Sequence, residues 1–514
     1  MKYKFKRRPY AHQKDAIRKL VSTGFGGALL MAPRTGKTKT FIDYACIMHE
    51  FGHVNRVLIS CPVAVMSVWE DELAANVPDR IKYSLTIWDK EARKEIDLPK
   101  WGQNRLDFVV INHDAFSTAG KVIGKDKHGN IKRSRKRGGR YDMKRSFNLW
   151  QPQLLAVDES HRFKTPSSAK FRTLVSLVWN RDGTAKIPYR VLMTGTPVTK
   201  KKRIFDIYTQ WRILNPKRFR GMTFTDFKHH YARWVSKGSW EMWVANRPRE
   251  VEELRAQIHK DSFAITRDEC FDLPKSSQQV VHIQLRGETA EAYDQMAEEM
   301  VAKLKSGEIV EASIKLVMAM RLAQISSGVA RTSPTPEFED GQLIRIGTEK
   351  MDVLESLLSD LFEADEKVVV AARFTHDIRA AEEICQRLKV KHFTLQGRRK
   401  GPRQDRRSRA TDIARFKNMD GPACYIVQPA SGSMGIDLST AATIIWYSMT
   451  PSWVDFTQMN DRIALNPHSV SEIYLVASPA DQLLYNVLQE DGDLAKAVTD
   501  SPDRLLRNYK LPST

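Results

Sequence analysis

A lysine and a hydroxyl at the foot of a helix, and two adjacent carboxylates at the end of a strand, are the groups best suited to chemistry in this chain of 514 residues. The segment MAPRTGKTKT (31–40) follows a short apolar run and precedes a helical pattern. Backbone N–H groups at such a helix start, with Arg34, Thr35 and Gly36 in the turn, can face the phosphates of a nucleotide. Lys37 can neutralise those phosphates and Thr38 can ligate magnesium. The strict form of such a loop opens on glycine, and here Met31 takes that place. About 120 residues later, LLAVDESH (154–161) brings Asp158 to a strand end, where its carboxylate can hold magnesium through the water shell. Glu159 beside it can orient and deprotonate an attacking water.

Groups so far apart in sequence meet only if a sheet gathers strand ends. The first half alternates helical patterns with short β-branched runs: GGALLM (apolar over 27–31), RVLISCP (56–62), LDFVVIN (106–112), QLLAVDES (153–160) and YRVLMTGTP (189–197). That rhythm predicts a doubly wound parallel sheet with its ligands at the carboxyl ends of the strands. A second series, KVVVAARF (367–374), KHFTLQG (391–397), ACYIVQPASG (423–432), ATIIWYS (442–448) and EIYLVASP (472–479), predicts another α/β lobe. Between the series, 200–350 reads as mostly helical, with Trp211, Phe227, Tyr231 and Trp234 packing helices, and DLPKSS (272–277) as a connector. The chain divides into 1–272, with a helical segment at 200–270, and 273–514, with a helical lead-in at 286–330.

A net charge of +21 favours a polyanion or an acidic membrane surface as partner. No run of about eighteen apolar residues suits a membrane span, and the start of the chain lacks an apolar signal region, so no membrane role is expected. Five scattered cysteines without C-x-x-C spacing point to neither a disulfide framework nor a zinc site, and fit a reducing cytoplasm. Two basic runs stand out. Residues 121–145 hold eleven Lys or Arg, among them Lys132, Arg133, Arg135, Lys136 and Arg137, against two Asp, and with their glycines read as a mobile loop. GRRKGPRQDRRSR (397–409) carries Arg398, Arg399 and Arg409 among seven bases against one Asp. Each run is equally readable as a phosphate-backbone clamp or as a solvated charge run. Trp69 and Trp446 read as core packing.

With these motifs in order along nearly the whole chain, the sequence resembles the Swi/Snf family of superfamily two helicases. RPYAHQ (8–13) is similar to the family's adenine-reading motif, which implies Gln13 as a base contact. ISCPVAVMSVWEDEL (59–73) resembles motif Ia, VINHDAF (110–116) motif Ib and LMTGTP (192–197) motif III, whose Thr194 and Thr196 would couple phosphate state to lobe movement. His161 completes the DESH box; it would either join that coupling or serve a plain hydrogen-bonding role. TRDECFDLPKSSQQVVHIQL (266–285) resembles the interlobe junction, KVVVAARFTHDI (367–378) motif IV, SGSMGIDLSTA (431–441) motif V and QMNDRIAL (458–465) motif VI. The carry-over implies Gly435 and Asp437 against nucleotide and track, Gln458 in coupling, and Arg462 reaching the phosphates from the second lobe.

Motif VI usually ends on a second arginine, and here Leu465 stands in its place. Either Arg462 suffices, or Arg34, in a position where the family usually has glycine, supplies the missing charge, or hydrolysis is weak and the chain chiefly binds nucleic acid. The resemblance implies an α/β fold of two RecA-like doubly wound parallel-sheet lobes with helical insertions, using ATP and magnesium. The expected activity is that of a DNA-dependent ATPase that translocates on double-stranded or branched DNA, remodelling forks, junctions or bound proteins; an RNA helicase is the alternative. The chain resembles compact viral and bacterial members more than chromatin remodellers, which would place it in replication or recombination, in the host cytoplasm if viral.

Overall fold

The computed structural model describes residues 3–66, 68–88, 98–99, 104–117, 122–125, 131–133, 146–198, 204–219, 221–237, 240–267, 269–271, 276–306, 312–331, 342–397, 406–432, 436–464, 466 and 469–490. The chain separates into two units, Met1–Asp272 and Leu273–Thr514.

The first lobe is built on seven strands: β1 (Gly26–Met31), β2 (Arg56–Cys61), β3 (Tyr83–Trp88), β4 (Leu106–Asn112), β5 (Leu154–Asp158), β6 (Tyr189–Met193) and β7 (Ser262–Ile265). They lie in the order β7-β1-β6-β5-β2-β4-β3 with every pairing parallel. Helices on both faces bury both sides of the central strands, so successive residues enter different cores. Leu58, Leu155 and Val157 join Phe163, Leu174 and Trp211 on one face. Val57, Ile59, Leu154 and Ala156 join Leu20, Phe41 and Trp69 on the other.

The second lobe repeats the plan with β8 (Ser277–His282), β9 (Lys367–Ala371), β10 (Lys391–Leu395), β11 (Ala423–Val427), β12 (Thr443–Trp446) and β13 (Ser471–Val476). Their order is β8-β13-β12-β9-β11-β10, again all parallel. Val369, Tyr425, Ile444 and Trp446 face one core and Val368, Ile426, Ile445 and Leu475 the other. Trp69 and Trp446 are core residues, 2% and 0% exposed.

All ten apolar runs read from the sequence are strands of these sheets. Three further strands, β3, β7 and β8, escaped that reading, and all three lie at sheet edges. An edge strand buries less of its surface, so polar residues dilute its pattern: β8 is SQQVVH and mostly exposed. Two expectations need correction. Within the mostly helical 200–350 segment, Trp234 lies on a strand and not on a helix, because Ala232–Lys237 and Trp240–Asn246 form an antiparallel hairpin with Trp234 opposite Trp243. The aromatic and β-branched residues there, Trp234, Val235, Trp240, Trp243 and Val244, favour a strand over a helix. The basic stretch is not wholly a loop either, since Val122–Lys125 pairs antiparallel with Ile131–Arg133.

Candidate nucleotide site

The order of the first sheet explains how distant motifs converge. β1, β6 and β5 are consecutive neighbours, and the phosphate loop, the TGTP turn and the DES turn leave their carboxyl ends. Strands about 4.8 Å apart place three such ends within side-chain reach of one another.

After β1 the chain turns through Arg34 (φ 68°) and Gly36 (φ 84°) into the helix Lys37–Glu50. Gly36 suits its left-handed backbone, and a Cβ there would push aside the amide end of Gln13. Gln13 is buried, accepting from the Tyr10 N–H at 3.0 Å and donating to the Thr35 carbonyl at 3.4 Å. Thr35 is buried as well and donates from Oγ1 to the Ala32 carbonyl at 2.8 Å. Lys37 Nζ donates to the carbonyls of Met31 at 2.9 Å and Ala32 at 3.1 Å, and Thr38 lies in the first turn of the helix. The ammonium therefore sits over the loop it closes.

At the end of β5, Asp158 Oδ1 accepts from the Glu159 N–H at 3.0 Å, and Glu159 takes the left-handed backbone at φ 47°. A non-glycine residue there is strained by about 1–2 kcal/mol. Burial, then the neighbouring Glu159 charge, push the Asp158 carboxyl well above the usual carboxylate range, while Lys37 pulls it back. Two acids crowded in this way call for a cation, so the donor set suits magnesium, with Thr38 and Asp158 as the residues that would hold it.

His161 is buried, with Nδ1 3.0 Å from Thr194 Oγ1, 3.4 Å from Thr196 Oγ1 and 3.3 Å from Glu159 Oε2. Burial depresses its pKa, which favours the neutral ring. The TGTP turn lies directly on the phosphate loop: a Cβ on Gly195 would stand 2.7 Å from Pro33 Cδ. Lys37, Asp158, Glu159, His161, Thr194 and Thr196 are thereby gathered at one end of one sheet.

Two buried residues here went unnoticed in the sequence. His113, in the segment after β4, places Nδ1 2.7 Å from Ser60 Oγ at the end of β2. Gln210, on the helix Asp206–Leu214, accepts from Ser160 Oγ at 2.7 Å and donates to the Pro197 carbonyl at 2.6 Å. His113 lies within the segment that resembles motif Ib but carried no role there, Gln210 belongs to no motif read from the sequence, and only tertiary packing reveals the partners of either.

In the second lobe, Asp437 pairs with Lys417 Nζ at 2.6 Å and accepts from the Ser439 hydroxyl at 2.8 Å. Arg462 is buried and donates to the Ile436 carbonyl at 3.4 Å, and Gln458 is buried on the helix Trp453–Asn460. Motifs V and VI thus meet within that lobe. Gly435, Leu465, Arg135, Lys136, Arg137, Arg398 and Arg399 lie outside the described residues. Lys132 and Arg133 fall on the strand Ile131–Arg133 and Arg409 on the helix Arg406–Asn418, with their side chains outside the description. No helix among the described residues is long and apolar enough to cross a membrane.

The chain is 22% identical over 418 residues to the chromodomain-helicase-DNA-binding protein 1-like of Danio rerio, covering 81% of this chain and 35% of that one. The mouse (Mus musculus) counterpart is 22% identical over 457 residues, covering 86% and 44%. Human (Homo sapiens) chromodomain-helicase-DNA-binding protein 1 is 21% identical over 454 residues, covering 85% and 23%. The chain therefore spans less than half the length of these relatives. The solved Sulfolobus solfataricus SWI2/SNF2 ATPase core in complex with dsDNA aligns over 98% of each chain, at 18% identity and a TM-score of 0.42. The helicase conserved C-terminal domain matches residues 349–464. The SNF2-related domain matches residues 12–328, well over half of the chain, including Gln13, Lys37, Asp158, Glu159, His161, Thr194 and Thr196, and the chain belongs to that family.

Proposed function

We propose that this chain is an ATP-dependent translocase on double-stranded DNA that remodels forks, junctions or DNA-bound proteins. The observation that carries the reading is the convergence of Lys37, Asp158–Glu159 and Thr194–Thr196 at the ends of three adjacent strands, with His161 joining the last two. Lys37 would bind the phosphates and Glu159 would orient the attacking water and take its proton. Magnesium held at Thr38 and Asp158 would neutralise phosphate charge. The neutral His161, in contact with both Glu159 and Thr194, would report the state of the site to the TGTP turn.

DNA as the track draws support from the net charge of +21 and from the names of the relatives. Contacts to phosphates alone suit a motor that must pass every base. ATP turnover measured with single-stranded, duplex, forked and four-way DNA and with RNA ranks the tracks. Stimulation by duplex or branched DNA is expected, and stimulation by RNA alone would make the chain an RNA motor. Leu465, in place of the customary arginine, favours a second reading as a nucleic-acid-binding protein with feeble hydrolysis. Lys37→Ala separates the two readings, because a binding protein would show the same turnover with and without that ammonium.

A further inference from the structure

We infer that Gln210 is a positioning residue for hydrolysis, a single amide that fixes the turn bearing Glu159 against the turn bearing Thr194 and Thr196. The inference rests on the ATPase reading above and deepens it.

Gln210 is 0% exposed, and its amide is used at both ends. Oε1 accepts from the Ser160 hydroxyl at 2.7 Å, while Nε2 donates to the Pro197 carbonyl at 2.6 Å and to the Asp206 carbonyl at 2.9 Å. One acceptor and two donors on one side chain is the inventory of a primary amide, and a carboxylate would present oxygen to two carbonyls. On the same helix Trp211, Ile213 and Leu214 are apolar and 0% exposed, while Asp206 and Thr209 are buried polar residues, the Thr209 hydroxyl donating within the helix to the Asp206 carbonyl. Gln210 instead reaches two other segments, at Ser160 and Pro197, a use that helix packing alone does not require, since leucine or methionine would fill the volume without a desolvation cost.

The turn it holds is the strained one. Glu159 adopts φ 47°, a conformation that persists only where the surroundings over-determine it. On the C-terminal side of Glu159 the turn is anchored at two successive residues, Ser160 to Gln210 and His161 to Thr194 and Thr196. The Pro197 carbonyl is the first acceptor beyond the TGT turn, and Gly195 of that turn rests on Pro33 of the phosphate loop. Gln210 therefore sets the place of the base relative to the loop that would hold the phosphates, without touching either.

The test compares Gln210→Leu, Ser160→Ala and the double variant in the full chain, measuring DNA-stimulated kcat, KM for ATP and the urea midpoint. Each single change is expected to lower kcat on the order of 10- to 100-fold, as misplacement of a reacting group does, while KM stays within about twofold. The double variant is expected to be no slower than the slower single, since both cut the same tie. A single variant with kcat within about threefold of wild type, or effects that multiply in the double, would overturn the inference. If Gln210→Leu does not fold, Ser160→Ala decides alone, because it removes one hydroxyl and no volume of consequence. A wild type without turnover on any polynucleotide sinks the ATPase reading and this inference with it, whereas an active wild type with indifferent variants sinks this inference only.

Discussion

In the first lobe, buried polar side chains gather where strands end and connect one motif to another: Ser160 to Gln210, His161 to Thr194, Ser60 to His113. Among the described residues, the deepest ion pair of the second lobe joins two helices instead. Lys350 Nζ, on Glu349–Glu363, meets Asp481 Oδ2, on Pro479–Glu490, at 3.0 Å, with the two side chains 1% and 2% exposed. The motif residues there are engaged close to home, Asp437 by Lys417 and Ser439 and Arg462 by the Ile436 carbonyl. Strand ends are tied in the second lobe as well, the Ser448 hydroxyl accepting from the Arg373 N–H at 2.7 Å and the Gln428 amide joining Gly397 to Arg373, so the lobes differ in which groups are tied. In the first they include the residues proposed for the reaction, where fixed dipoles would do most for a transition state; in the second, Lys350 and Asp481 hold two helices together.

The contrast can be broken most sharply at Glu159. Glu159→Gln keeps the shape and removes the proposed base, so turnover should fall on the order of 10²–10⁴-fold with ATP still bound, seen by comparing kcat with nucleotide affinity. If turnover persists, the first lobe is not the seat of the chemistry. Lys350→Met should do the reverse, destabilising the protein by about 3–5 kcal/mol in urea because Asp481 loses its cation while buried, with KM for ATP unmoved. An altered KM would mean that the second lobe's pair is no mere scaffold.

Gly195→Ala comes next. Its methyl would displace Pro33, at a cost of about 1–3 kcal/mol and with a raised KM for ATP. Unchanged nucleotide affinity would show that the TGTP turn does not govern the phosphate loop.

Asp43 tests burial within the first lobe. Desolvation raises its pKa to about 6 against the hydrogen bond and charge of Lys39. A carboxyl with a raised folded pKa contributes stability that is full below the ordinary value of 3.8 and is lost as pH rises through about 6. Asp43→Asn should flatten the pH dependence of the urea midpoint across that window, by up to about 3 kcal/mol. A slope equal to wild type would remove Asp43 from the account.

The smallest effect is expected at Arg34, whose φ of 68° suits glycine. Arg34→Gly should gain under about 1 kcal/mol, the relief of strain being partly offset by the freer unfolded chain. A loss instead would show that contacts of the guanidinium outweigh the strain.

Much of the fold was legible because strands buried on both faces have a composition of their own. RVLISC and LLAVD admit little else, and GKT after GGALLM suggested a phosphate loop chiefly in company with LLAVDESH. Edge strands such as SQQVVH were not legible, since half-solvated backbone tolerates almost any side chain, and the hairpin 232–246 was hidden in a stretch of helical pattern. Nor could spacing reveal the partners of His113 and Gln210, which lie 53 and 50 residues away.

The sequence by itself supplied the candidates for chemistry, Lys37, Asp158 and Glu159, and determined that a parallel sheet carries them, because both follow from local side-chain type and short-range pattern. Only the tertiary structure decided that β1, β6 and β5 are neighbours, that Glu159 is held in a left-handed turn, and that one buried amide ties two of their loops together. Strand order and buried hydrogen bonds arise from how the whole chain excludes water, and no window of sequence contains both partners of such a contact.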